Sequence, residues 1–99
     1  MTKKIAILGG GESGVGAALL AKKLNYDVFL SDYGRIPEKY KHELRTNAIP
    51  YEETQHTLEK IAEATEVIKS PGIPEHTSII RALKQQGIPV ISEIEFASR

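Results

Sequence analysis

The sequence predicts an α/β domain built on a five-stranded parallel sheet of order 3-2-1-4-5, and three observations carry that reading. First, five short apolar runs alternate with segments of helical spacing, and such alternation produces a parallel sheet covered on both faces. Second, the first run stops at three glycines, and Gly9-x-Gly11-x-x-Gly14 then opens a helical segment with the spacing of a dinucleotide-type phosphate loop. Third, crossing from strand to helix to strand in so few residues forces the first two strands to pair in parallel, and the crossover is expected to be right-handed. Together they describe a Rossmann-like three-layer domain. Its ligands are expected at the carboxyl ends of strands one and four, where the strand order reverses.

Lys3-Lys4 leads into the first strand, Ile5–Leu8. Each glycine of the motif has a separate task. One allows the tight turn out of the strand, the second removes a side chain from the path of a diphosphate, and the third lets the next helix sit against the strand. Ser13 is read as the cap of that helix, with Val15, Ala18, Leu19 and Leu24 at buried spacing and Asn25 as its stop. Asp27–Ser31 is the second strand, and Asp32 ends it. Tyr33 to Pro37 form a turn, with Pro37 at the first position of a charged, exposed helix, Glu38–Thr46.

Ile49-Pro50-Tyr51 is a short third strand that its proline confines to an edge. Thr57–Ala64 reads as a short amphipathic helix with Leu58 and Ile61 facing inward. Glu66–Ser70 is the fourth strand, broken by Pro71-Gly72-Ile73-Pro74. His76–Gln86 is helical, with Ile79, Ile80 and Leu83 as its buried stripe and Gly87 as its stop. Ile88–Ile91 is the fifth strand, and Ser92–Arg99 opens a further helix that the end of the sequence cuts off.

Ninety-nine residues make one domain, and 40% hydrophobic with 26% charged content is ordinary for a soluble globular chain. Thirteen basic residues balance thirteen acidic ones, so no electrostatic footprint for nucleic acid or an anionic membrane shows. There is no run of membrane-span length and no signal-peptide core, and with no cysteine there is no disulfide frame or thiolate metal site. The expected compartment is the cytoplasm.

Asp32 lies eighteen residues after Gly14, near the offset at which a carboxylate meets a ribose in dinucleotide folds. A carboxylate only accepts hydrogen bonds, which suits sugar hydroxyls or the N3–H of a uracil and would repel a 2′-phosphate. A turn-forming aspartate after a strand is the competing reading. Ser70-Pro71-Gly72 could lend a hydroxyl or backbone N–H groups to a ligand, or could simply end a strand. Glu12 is favoured beside a helix N-terminus but would compete with a phosphate there, so its side chain is expected to point outward. His42, His56 and His76 are isolated in polar segments and read as surface residues. No G-x-x-x-x-G-K-[ST] loop, nucleophile–base pair or carboxylate dyad occurs, so these residues support no ATP-consuming reaction of their own.

Gly9-Gly-Gly-Glu-Ser-Gly14, Ser31-Asp32, Ser70-Pro-Gly-Ile73 and Ile88-Pro-Val-Ile-Ser-Glu-Ile-Glu-Phe96 together resemble the N-terminal domain of the UDP-N-acetylmuramoyl-L-alanine:D-glutamate ligases (the MurD family of Mur ligases). The resemblance implies a UDP-substrate-binding domain over residues 1–92. Residues 93–99 would start the segment leading to a central ATP-binding domain not contained in these residues. It implies that the full-length enzyme uses ATP and Mg²⁺ to add D-glutamate to UDP-N-acetylmuramoyl-L-alanine in peptidoglycan synthesis. A third domain would bind the amino acid, and this piece alone would be inactive and hold no cofactor.

Carried over by position, Gly11, Glu12, Ser13 and Gly14 match the diphosphate-binding loop, and Asp32 and Tyr33 match the pair beside the uracil. Ser70 and Gly72 match the loop near the substrate's phosphate or sugar. The chain departs from some relatives at Glu12 and at Tyr33-Gly34, and Arg35 is a candidate for the charge role that an arginine fills there. From the residues alone, an NAD(H)-binding domain of an oxidoreductase or redox sensor shares the same loop and Asp32 and remains the alternative.

Overall fold

β1 (Lys4–Leu8) carries four consecutive fully buried residues, Ile5 to Leu8, and a strand buried on both faces belongs at the centre of a parallel sheet. In the computed structural model, which describes residues 3–99, β1 pairs in parallel with β2 (Asp27–Ser31) and with β4 (Glu66–Lys69). β3 (Tyr51–Glu52) adds to β2, and β5 (Val90–Ser92) adds to β4, again in parallel. The order is β3-β2-β1-β4-β5, as the alternation of elements predicts.

Side chains of a strand alternate between faces, and the core divides accordingly. Ile5 and Ile7 join Val28 and Leu30 beneath α1 (Glu12–Lys23), while Ala6 and Leu8 join Phe29 and Val67 on the other face. That second face is closed by Ile61 of α3 (Leu58–Ile61) and by Ile80 and Leu83 of α4 (Ser78–Gln85). α1 buries Gly14, Val15, Ala17, Ala18 and Ala21, a set small enough to bring its backbone close to the sheet. α2 (Glu38–Thr46) buries only Leu44 and carries its charges outward, with Arg45 on Glu38 at 2.6 Å and Lys41 on Glu53 at 2.7 Å.

Several boundaries differ from the sequence reading. α1 starts at Glu12 with Gly11 as its N-cap, so Ser13 lies inside the first turn and caps nothing. The reason is that Gly11 is itself extended and turns the chain directly into the helix. Leu24 is the C-cap and 54% exposed rather than buried, because Asn25 at φ 69° already ends the helix beside it. β3 begins after Pro50, which contributes only its carbonyl, accepting from Leu30 N at 3.1 Å. α3 is a single turn and does not reach Ala64. α4 begins two residues later than expected because Thr77 N turns back onto Pro74 O, which leaves His76 outside. β5 likewise runs later, with Pro89 giving its carbonyl to Val67 N.

α5 (Glu93–Ala97) is capped by Ser92, whose Oγ accepts from Glu95 N at 3.1 Å. Phe96 is only 2% exposed and meets Tyr26 edge-on at 6.1 Å, while Arg99 donates to both oxygens of Glu66 at 2.5 and 2.6 Å. Behind the sheet, α2 exits through Ala48 at φ 56°, a left-handed corner occupied by a residue with a side chain. Among the described residues no helix is long and apolar enough to cross a membrane.

Candidate functional site

The loop after β1 is shaped by contacts that only glycine permits. Gly9 has φ 115°, and a Cβ there would stand 2.7 Å from Ser70 Cβ, so this loop lies directly against the loop after β4. A Cβ on Gly14 would fall 1.8 Å from Gly9 O, which seats α1 on the loop itself. At Gly11 an added Cβ would meet nothing within 4 Å, so that glycine faces open space. The first two are the turn and the helix contact that the spacing assigns. No side chain caps α1, and the N–H groups of its first turn, with the positive end of the helix dipole, are left for solvent or an anion.

Asp32, at the end of β2, has a role the sequence reading divided between two alternatives. Its Oδ1 accepts from Gly34 N at 2.8 Å, the turn-forming bond, and its Oδ2 accepts from Gly10 N at 2.7 Å. The carboxylate therefore braces the glycine loop across 22 residues of sequence. Each oxygen keeps lone-pair capacity for a further donor.

Between these loops and the helices behind β4 lies a cleft of about 790 Å³, within the range of small-molecule sites. Gly11, Asp32, Tyr33, Ser70 and Gly72 line it. Glu12 and Ser13 stand exposed on the first turn of α1, outside the lining, and Gly14 is buried under the loop. Arg35 is exposed. The far wall is apolar and was not read from sequence. Leu58, Ile73, Pro74 and Ile79 form it, and Ile79, expected in the core, is only partly buried because it faces the cleft.

His56 is the largest correction. His42 and His76 are exposed as expected, but His56 is half-buried and lines the cleft. Its Nδ1 lies 2.7 Å from Ser31 Oγ, and its ring lies 5.8 Å from that of Tyr33, tilted by 51°. Burial pushes the imidazole below its ordinary pKa, against the opposing fields of Asp32 and Glu52. Glu52, buried beneath, accepts from Ser31 Oγ at 2.8 Å, from Thr57 N at 2.8 Å and from Thr57 Oγ1 at 2.6 Å. Burial opposes its ionisation, but the Thr57 and Ser31 hydrogen bonds outweigh it and hold the carboxyl below its ordinary value. Among the described residues no group of three His, Asp or Glu side chains is arranged to hold a metal ion.

The family model of the MurD N-terminal domain matches residues 4–79. The UDP-N-acetylmuramoylalanine–D-glutamate ligase of Christiangramia forsetii is 59% identical over 98 residues, covering 99% of this chain and 22% of that protein. The protein of the same name from Chlorobaculum tepidum is 42% identical over 96 residues, 97% of this chain and 20% of its own length. The chain thus spans about a fifth of the relatives it matches. Among solved structures, a murein peptide ligase from Psychrobacter arcticus superimposes with a TM-score of 0.86 at 23% identity, over 97% of this chain and 20% of that one. A UDP-N-acetylmuramate-alanine ligase from Thermotoga maritima gives 0.80 at 23% identity, over 95% and 21%. These two show the shared fold. With the matched residues running from β1 into α4, the chain belongs to the MurD N-terminal domain family.

Proposed function

We propose that this chain binds the UDP end of UDP-N-acetylmuramoyl-L-alanine, as the N-terminal domain of the cytoplasmic ligase that adds D-glutamate to it in peptidoglycan synthesis. The observation that carries the reading is the uncapped first turn of α1 beside Gly11, whose open face lines the cleft, a pairing of free N–H groups and cleared space that suits an anion. The nucleoside then lies toward Asp32 and Tyr33, and the sugar toward Ser70 and Gly72. In this reading a central domain supplies the ATP loop and magnesium ligands, a third domain binds D-glutamate, and residues 93–99 lead toward the central domain. This domain's share of the work is to bind and orient the nucleotide end, and the chemistry occurs in the other domains.

Calorimetric titration with UDP and with NADH tests the assignment. UDP is expected to bind at roughly millimolar strength, about 4 kcal/mol, since one domain supplies only part of the site. Tighter binding of NADH would assign the loop to a nicotinamide cofactor instead. Asp32→Ala should weaken UDP binding about tenfold. Because it also leaves the Gly10 amide without its acceptor, it should lower stability by about 1–3 kcal/mol. Calorimetry and urea denaturation read the two effects separately, and unchanged affinity in the folded variant would remove Asp32 from the site.

A further inference from the structure

The network under the cleft fixes where the protons of His56 sit. Ser31 Oγ lies 2.8 Å from Glu52 Oε2, 3.1 Å from Gln55 O and 2.7 Å from His56 Nδ1. The hydroxyl has one proton, and both the ionised carboxylate and the carbonyl are acceptors only. Ser31 must therefore give its proton to one of those two. His56 Nδ1 must then be a donor, since otherwise two lone pairs would face each other at 2.7 Å. The result is a chain from Nδ1–H through the serine hydroxyl to Glu52. In the neutral ring it leaves the lone pair on Nε2. That nitrogen has no hydrogen-bond partner among the described residues and is not a sealed buried atom, while its ring lines the cleft.

We propose that His56 reads the nucleobase, its Nε2 accepting the imide N–H of a uracil that lies against the Tyr33 ring. This rests on the UDP-binding reading above. The diphosphate occupies the first turn of α1, so the base falls at the other side of Asp32, where the two aromatic rings that line the cleft among the described residues, Tyr33 and His56, sit 5.8 Å apart and tilted by 51°. Flat aromatic faces are what bases stack upon. Asp32, the other acceptor at that end, already spends a lone pair of each oxygen on Gly10 N and Gly34 N.

A bare Nε2 distinguishes bases by sign. Uracil presents a donor at its ring N3, whereas cytosine presents a lone pair there, which Nε2 would repel. Protonation turns Nε2 into a donor, which opposes the N3–H of uracil and suits the lone pair of cytosine instead. The charged groups whose fields reach the ring are Asp32 and Glu52, both favouring the cation, while burial favours the neutral ring.

The test is an NMR titration of this chain with UDP and with CDP, for the natural sequence and for His56→Phe, at about pH 8 and about pH 5.5. At the higher pH the His56 ring nitrogens should report the Nδ1–H tautomer, the Nε2 resonance should move on adding UDP, and UDP should bind about tenfold more tightly than CDP. The preference should shrink at the lower pH and vanish at both in His56→Phe. If the glycine-loop amides respond to UDP but Nε2 does not move, or His56→Phe keeps the preference, His56 is not the reader and the nucleotide site stands without it. If the loop amides do not respond to UDP at all, the UDP-binding reading falls and this one with it. Should His56→Phe fail to fold, the Nε2 response of the natural sequence alone decides.

Discussion

Gly14→Ala should lower the stability of the chain by about 3 kcal/mol and its melting temperature by roughly 12–24 °C. The added Cβ would stand 1.8 Å from Gly9 O and 2.8 Å from Gly9 C, and neither is a flexible side-chain end that could swing aside. Gly9 cannot retreat, because its N–H is bonded to Ser31 O at 2.9 Å and its Cα lies against Ser70. Relief comes only by lifting α1 from β1, which opens the core at Val15 and Ala18. Gly16→Ala provides the internal control. It sits in the same helix, exposed, with nothing within 4 Å of the new atom, so it should stabilise by about 1 kcal/mol through helix propensity alone. Thermal melts followed by circular dichroism compare the two. Equal shifts for both variants would show that the seat of α1 on the loop has slack.

Phe96→Ala should cost about 3–5 kcal/mol in urea denaturation. Phe96 is 2% exposed and reaches the core cluster of α1 and β2 from a five-residue helix near the end of the chain. The loss is a cavity beside Tyr26 together with the anchor that holds α5 in place. Ile94, two residues earlier in the same helix, is 81% exposed, and Ile94→Ala should change stability by less than about 0.5 kcal/mol. A small effect at Phe96 would mean that the neighbouring side chains collapse into the space.

What was legible in the sequence was whatever a short stretch encodes by itself. The spacing Gly9-x-Gly11-x-x-Gly14 already implies a tight turn and a close helix seat, and Gly9 and Gly14 carry those two steric tasks, while Gly11 faces open space. The apolar runs marked all five strands, and their alternation with helices gave the sheet order, because a parallel crossover has one favoured hand. What escaped depends on residues brought together from far apart. His56 looked like a solvated histidine because its partner Ser31 lies 25 residues away, and Ser31 reaches Glu52 across another 21. The position of Asp32 after a strand suggests a ligand contact or a turn, and its third task, bracing Gly10, needs the fold to bring the two together. Ile79 shows the same limit from the apolar side. Helical periodicity marks a side chain as facing inward, but it does not distinguish a packed core from the wall of a cleft.

Ala48 offers a way to toughen the protein without disturbing its ligand-facing rim. It turns the chain out of α2 at φ 56°, where a methyl group crowds the neighbouring carbonyl, and it lies outside the cleft lining. Ala48→Gly should therefore raise the unfolding free energy by about 0.5–1 kcal/mol, the relief of that crowding exceeding the extra freedom glycine has when unfolded. Nucleotide affinity should be unaltered. Heat tolerance and recognition would then be adjustable from opposite ends of the parallel strands.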